Sequence, residues 1–210
     1  MKQKKGYYER FFKRVIDIAF SGIAIILLSP AFLIVAILVK IKIGSPIIFK
    51  QIRPGKEEQL FNMYKFRTMT SEKDSNGNLL PDSQRLTPFG KKLRSSSLDE
   101  LPELWNIFKG DMSIVGPRPL LVKYLPYYTE KERIRHTIRP GLTGLAQING
   151  RNTVDWNKRL ELDIKYVNEL SFKKDILIVL TTIIRVLNPD DVVVVDQGTI
   201  KDLDLERKND

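Results

Sequence analysis

From Val15 to Val39 the chain runs 25 residues with only Asp17, Ser21, Gly22, Ser29 and Pro30 interrupting an otherwise apolar composition. A helix of about 20 apolar residues is enough to cross a hydrocarbon core roughly 30 Å thick. A straight crossing is nevertheless the wrong expectation. Pro30 has no N–H for the carbonyl of Ile26 and its ring clashes there, so a helix kinks at this point. The Ser29 hydroxyl can bond a nearby carbonyl and make the break tolerable in lipid. Each arm is then about 10–15 residues, or roughly 15–22 Å, too short to cross. Both flanks are also basic. Lys2, Lys4, Lys5, Arg10, Lys13 and Arg14 stand against Glu9 before the run, with Tyr7, Tyr8, Phe11 and Phe12 among them, and Lys40, Lys42, Lys50 and Arg53 follow it. Cations on both sides draw both ends to the cytoplasmic face and to anionic lipid, and the aromatic residues suit the interface. The pattern predicts a re-entrant membrane helix over residues 1–43, bent at Ser29 and Pro30. A cleaved signal peptide fits poorly, because the apolar core is too long and no small-residue cleavage site follows.

The remainder of the 210 residues reads as one helix-rich α+β domain with a few short strands, spanning residues 44–190, with a charged tail over 191–210. Short strands are predicted at Ile43–Phe49 and Gln59–Phe66, with a turn at Arg53-Pro54-Gly55. Asn76-Gly77 marks a hairpin tip within the polar stretch Ser71–Pro81. From Ser97, residues Leu98, Leu101, Leu104, Trp105 and Phe108 fall on one helical face, and Gly110 ends the pattern. Further helices are expected over Tyr128–His136, Val154–Leu170 and Asp175–Leu187, the last too short to span a bilayer. Val192–Val195 is strand-like, and the tail beyond Lys201 is expected to be loose.

Composition removes much chemistry. The chain has no cysteine and one histidine, His136, so thiolate metal sites, disulfides, cysteine nucleophiles and multi-histidine centres are all excluded. Any metal would be a hard cation on carboxylates, with Mg²⁺ the natural choice beside phosphates. The carboxylates that stand out are Asp99 and Glu100. Ser97 and Glu100 have the spacing of a capping box, which explains them structurally but leaves Asp99 over. An aspartate in a helix's first turn stays ionised; it can hold Mg²⁺ with its neighbour, or attack phosphorus to give an acyl phosphate.

The net charge of +10 is spread over turns as well as the N-terminus. Lys65, Arg67, Arg94, Arg118, Arg139 and Arg151 form a set, several of them pinned by proline or glycine: Gly116-Pro117-Arg118-Pro119, Arg139-Pro140-Gly141, Asn149-Gly150-Arg151-Asn152. Such turns aim a guanidinium from a fixed base, and guanidinium forks match phosphate oxygens. With a carboxylate pair and a membrane segment in the same chain, they point to a polyphosphate substrate. Nucleic acid is not expected, since the chain carries no recognition-helix or aromatic RNA-binding signature.

Several strings carry a resemblance: Ser29-Pro30 within the apolar run; Lys65-Phe66-Arg67-Thr68-Met69; Leu93-Arg94-Ser95 leading into Ser97-Leu98-Asp99-Glu100-Leu101-Pro102-Glu103-Leu104; Lys109-Gly110-Asp111-Met112-Ser113-Ile114-Val115-Gly116-Pro117-Arg118-Pro119; and Arg139-Pro140-Gly141-Leu142-Thr143-Gly144-Leu145-Ala146-Gln147. In order and over most of the chain, they resemble the bacterial sugar transferases, the monotopic phosphoglycosyl transferases, and most of all their small members. The resemblance implies transfer of a sugar-1-phosphate, of an N-acetylated amino or diamino sugar, from a UDP-sugar to undecaprenyl phosphate, with UMP released. It implies Asp99 as nucleophile forming a phosphosugar–aspartyl intermediate, Glu100 as its partner, Mg²⁺ at these two carboxylates, and a seat in the cytoplasmic leaflet of the bacterial inner membrane. Lys65 and Arg118 match the family's motifs directly, and His136 is expected to be structural. The rival readings are a membrane-anchored basic scaffold binding anionic lipid, for which Asp99 is dispensable, and an enzyme using the same substrates without a covalent step.

Overall fold

A computed structural model describes residues 6–150, 154–187 and 201–209. After a π-helical stretch at Tyr8–Phe12, helix α1 covers Lys13–Leu27. It is amphipathic in the reverse of the usual sense. Lys13, Asp17 and Ser21, four residues apart and therefore on one face, are the ones buried, while Val15, Phe20, Ile23, Ile26 and Leu27 face outward. The buried stripe is fastened by polar bonds: Asp17 Oδ1 accepts from the Ile114 N–H at 3.0 Å and Lys13 Nζ donates to Asp175 Oδ2 at 2.5 Å. The helix breaks at Leu28, and α2 (Ser29–Lys42) leaves at 63° to α1. Ser29 Oγ donates to the Ile26 carbonyl at 2.8 Å, the acceptor that Pro30 leaves open. Val35 and Val39 of α2 pack with Phe66 and Leu93, while Leu33, Ile34, Ile37 and Ile41 are exposed. Among the described residues no single helix is long and apolar enough to cross a membrane, but this bent pair is, by length and composition.

Strands β1 (Ile48–Pro54) and β2 (Leu60–Phe66) form an antiparallel hairpin with Ile48 opposite Phe66 and Pro54 opposite Leu60. The first strand therefore starts later than its sequence suggests and absorbs Arg53 and Pro54. Pro54 is the terminal residue of a two-stranded ribbon, where its missing N–H weakens little. The turn moves on to Gly55–Gln59, where Gly55 N–H reaches the Gln59 carbonyl at 2.8 Å. The Asn76-Gly77 turn is a hairpin tip, with Lys73 bridged to Leu79 and Asp74 capping the N–H groups of Asn76 and Asn78. Two short helices follow, α3 (Asp82–Arg85) and α4 (Pro88–Ser95).

The helix expected from Ser97 is corrected. Ser97 adopts φ 57°, left-handed, and makes no capping bond; a capping residue needs an extended backbone, so the capping box does not form. Leu98–Glu100 is a single 3₁₀ turn, and α5 begins only at Glu103 and runs to Lys109. Pro102 explains the break, because it has no N–H for the Leu98 carbonyl. The expected apolar face is also split. Leu104 and Ile107 are buried, whereas Trp105 and Phe108 stack on each other, centroids 5.7 Å apart, and stay half-exposed. Gly110 ends the helix with φ 106°.

Strand β3 (Ser113–Val115) pairs in parallel with β4 (Gly141–Thr143). The two chains approach so closely that a Cβ on Gly141 would lie 2.1 Å from the Gly116 nitrogen. The helix expected over Tyr128–His136 is a 3₁₀ stretch at Glu132–Thr137. Helix α6 (Leu145–Ile148) is one turn, and α7 (Trp156–Asn168) and α8 (Phe172–Leu187) match the two predicted long helices within a few residues. The last helix, α9 (Leu203–Glu206), corrects the loose tail: Leu203 is fully buried against Leu120, Tyr124 and Trp156, and Arg207 pairs with Glu132 at 2.7 Å. The predicted strand at Val192–Val195 lies outside the described residues.

Candidate active site

The 3₁₀ turn Leu98–Glu100 presents two carboxylates with different surroundings. Glu100 Oε1 accepts from Lys65 Nζ at 2.6 Å and from Arg118 Nη2 at 2.7 Å. Burial alone would raise its pKa, but Arg118 and Lys65 outweigh burial and hold Glu100 well below the usual carboxylate range. Lys65 comes from β2 and Arg118 from the proline-flanked turn after β3, so the site is assembled from segments far apart in sequence.

Asp99 is 7% exposed and, among the described residues, has no cation at ion-pair distance. Burial first, and then the neighbouring charge of Glu100, push its pKa up to about 6, against the fields of Lys65, Arg94 and Arg118. It is thus a carboxylate with little solvent and, among the described residues, no bonded partner to quench its lone pairs. Arg94, on α4, faces the same centre while its Nε donates to Thr68 Oγ1 at 3.1 Å.

Two predicted residues fall elsewhere. The Arg67 guanidinium is used up by the Met69 carbonyl at 2.8 Å, the Ser45 carbonyl and Ser71 Oγ, so it ties the exit of β2 to the segment after α2. Arg139 Nε donates to the Gly110 carbonyl at 2.7 Å, beside Arg14. Arg151 lies outside the described residues. His136 is buried, with Nδ1 3.4 Å from the Gly55 carbonyl.

Glu103 was not among the predicted site residues. It is 2% exposed, its Oε1 lies 3.0 Å from Lys65 Nζ without the alignment of a hydrogen bond, and burial pushes its pKa up to about 7. The signal was available in the spacing, since Glu103 follows Asp99 by four positions and the two share a side of any helical turn.

The donor set accommodates a hard cation at one point. Asp99 carries no ion pair, and Glu100 keeps Oε2 unbonded by the described residues. No group of three or more acidic or histidine side chains is spaced to cage a metal among the described residues. The arrangement supplies a partnerless carboxylate, a second one locked between two cations, and a third cation behind them. That combination suits attack on, and charge neutralisation of, a phosphate group.

The chain matches the model of the bacterial sugar transferase family over residues 8–189. It is 52% identical over 175 residues to a protein of Bacillus subtilis (strain 168) described as the uncharacterized sugar transferase EpsL, covering 83% of this chain and 87% of that one. It is 40% identical over 184 residues to the UDP-glucose:undecaprenyl-phosphate glucose-1-phosphate transferase of Klebsiella pneumoniae, covering 83% of this chain and 40% of the relative. It is 36% identical over 189 residues to the UDP-N-acetylgalactosamine-undecaprenyl-phosphate N-acetylgalactosaminephosphotransferase of Aeromonas hydrophila, covering 84% of this chain and 44% of the relative. The chain spans less than half the length of these last two. A partnerless aspartate among lysine and arginine is thus carried by a sequence that belongs to the bacterial sugar transferase family.

Proposed function

We propose that this chain is a phosphoglycosyl transferase that moves a sugar-1-phosphate from a UDP-sugar to undecaprenyl phosphate through a phosphosugar–aspartyl intermediate on Asp99. The observation that carries the reading is the contrast between Asp99, which has no ion-pair partner among the described residues, and Glu100, bonded to Lys65 and Arg118. An oxygen of Asp99 attacks the phosphorus that bears the sugar. The bond from that phosphorus to the UMP oxygen breaks, and UMP leaves with the electron pair. The phosphate oxygen of the polyprenyl acceptor then attacks the same phosphorus, and the acyl–phosphate bond opens to return Asp99. One small site handles a soluble and a lipid substrate in turn without holding both.

Lys65, Arg94 and Arg118 supply positive charge for the pyrophosphate oxygens. Glu100 fixes Lys65 and Arg118 in place and is the poorer nucleophile of the two, because both cations stabilise its negative charge. Asp99 and Glu100 are the residues that would hold Mg²⁺, which would supply neutralisation of charge on the pyrophosphate. The bent α1–α2 pair seats the domain in the cytoplasmic leaflet, a reading supported by the outward row of Phe20, Ile23, Ile26, Leu33, Ile34 and Ile37.

The donor sugar is read as N-acetylated, which the resemblance to small family members and the substrate named for the Aeromonas relative support. The experiment is incubation of the purified chain with Mg²⁺ and a panel of UDP-sugars, glucose and N-acetylated sugars included, followed by intact-mass spectrometry. A mass increase of one sugar phosphate, lost on adding undecaprenyl phosphate and absent from Asp99→Asn, supports the reading. UMP release without any adduct would replace it with direct transfer.

A further inference from the structure

We infer that Arg53 is a phosphate-binding residue, forming with Arg118 a two-guanidinium seat for a phosphate group of one of the substrates. The inference rests on the phosphoryl-transfer reading above and adds a residue to it. Arg53 lies one position before the end of β1. Its Nε and Nη2 donate to Gln51 Oε1 at 3.2 and 2.6 Å, and its Nη1 to the Pro119 carbonyl at 3.4 Å. All these acceptors are neutral. Among the described residues no carboxylate stands at ion-pair distance from Arg53, although it is half-buried.

Arg67, buried more deeply, is likewise bonded only to neutral acceptors, but its fork is saturated by three of them; other arginines are paired with acids. Arg135, buried more deeply than Arg53, is neutralised by Asp163 at 2.8 and 3.0 Å, and Arg133 pairs with Glu58 and Arg207 with Glu132. Arg53 instead has a second cation for a neighbour: burial first and Arg118 next bring its pKa down to about 10. Glu103 works in the opposite direction, but that carboxylate is already shared with Lys65. A desolvated cation beside a like charge is unfavourable until an anion arrives. Gln51 fixes one edge of the guanidinium fork. The long bond from Nη1 leaves that nitrogen the easiest to turn toward a ligand, and the Arg118 side chain, 42% exposed, opens the pair to solvent. Nη1 reaches the carbonyl of Pro119, the residue next to Arg118, so the two arginines are neighbours in the fold, and guanidinium forks match phosphate oxygens.

The phosphate could enter on the UDP-sugar or on the polyprenyl phosphate, and kinetics separate the two. The full chain in detergent would be prepared as wild type, R53K and R53Q. The KM for UDP-sugar and for undecaprenyl phosphate would be measured, with the affinity for inorganic phosphate by titration calorimetry. R53Q is expected to raise one KM at least tenfold, to weaken phosphate binding similarly, and to melt no lower than wild type, since it removes a like-charge contact. R53K, which keeps the charge but not the fork, is expected to lose less than R53Q. The KM that moves identifies the substrate whose phosphate is held. Unchanged KM values and phosphate affinity in R53Q, equal losses in R53K and R53Q, or a lower melting temperature in R53Q would each overturn the inference and leave Arg53 a loop tie or a bystander. Wild type that releases no UMP from any UDP-sugar sinks the parent reading instead, and the calorimetry then still decides Arg53.

Discussion

Lys65 Nζ stands 2.6 Å from Glu100 Oε1 and 3.0 Å from Glu103 Oε1, so a single ammonium from strand β2 holds two carboxylates of the next structural segment. Its removal leaves Glu100 to Arg118 and takes from Glu103 its one ion-pair partner among the described residues, both acids being poorly solvated. Breaking a buried pair by deleting one partner typically costs about 3–5 kcal/mol. Lys65→Met is therefore expected to lower stability by about 3 kcal/mol in urea unfolding and to abolish UMP release. Lys65→Met with Glu103→Gln should recover at least half of that stability without recovering turnover. A double variant as unstable as the single one would remove Glu103 from the account.

Asp99 itself is unfavourable to the fold. Its pKa rises from 3.8 to about 6 through burial and then through Glu100. Between those values the native state holds a proton that the unfolded chain has lost, so stability falls as pH rises through this window, by on the order of 2–3 kcal/mol. Asp99→Asn should remove that decline. Metal-free protein of this variant is expected to unfold at higher denaturant than wild type at pH 7.5, by about 1 kcal/mol or more, and at a similar concentration at pH 4. UMP release should fall at least a thousandfold. A variant that is both stable and active would end Asp99's assignment as nucleophile.

Some parts of this molecule were legible in the sequence and others were hidden, for physical reasons that particular residues show. Ser29-Pro30 declared its break because proline acts locally, and the structure adds only that the Ser29 hydroxyl takes the Ile26 carbonyl. Gly110 and the long helices α7 and α8 were equally local. The start of α5 was misread because Ser97 and Glu100 have capping-box spacing, while Pro102, four residues after Leu98, decides where the helix can begin. The tail was misread because Leu203 stands between Asp202 and Asp204 in a charged stretch; its partners Leu120, Tyr124 and Trp156 are far along the chain. For the candidate site, residue type and the family motifs named Lys65, Arg94, Asp99, Glu100 and Arg118, which the structure brings around one centre. It could not show that Arg67 spends its donors on Met69, Ser45 and Ser71, or that Arg53 lacks an acid. Those facts depend on pairing across the fold, which spacing does not encode.

His136 makes a separate prediction for acid stability. Burial first, and then Arg135, hold its pKa down to about 3, and its Nε2 is buried without a hydrogen-bond partner. In the unfolded chain it titrates near 6.5. Between those values the unfolded state binds the proton and the native state does not, so stability is lost as pH falls from about 6.5 toward 3, by up to on the order of 4 kcal/mol. Asp99 acts with the opposite sign over part of this range, so the slope is best read in an Asp99→Asn background. His136→Phe in that background should flatten the curve between pH 6.5 and 4. An unaltered slope would place the acid sensitivity on other groups.

The bent helix pair predicts a topology. With α1 and α2 meeting at 63° and Lys40 and Lys42 at the far end of α2, a chain that enters and leaves one leaflet keeps both ends on the same side. The cysteine-free sequence allows single cysteines at exposed Gly6 and Lys208. In inside-out vesicles of the bacterial membrane, an impermeant maleimide should label both positions, and in intact spheroplasts neither. Pro30→Ala restores the N–H that the Ile26 carbonyl lacks and favours a continuous helix, about 40 Å long over 25–30 residues, enough to span the bilayer. In that variant labelling at Gly6 should shift toward the periplasmic side while Lys208 stays cytoplasmic. Periplasmic labelling of Gly6 in the wild-type background would show that the helix crosses despite its break, and the seat in one leaflet would have to be given up.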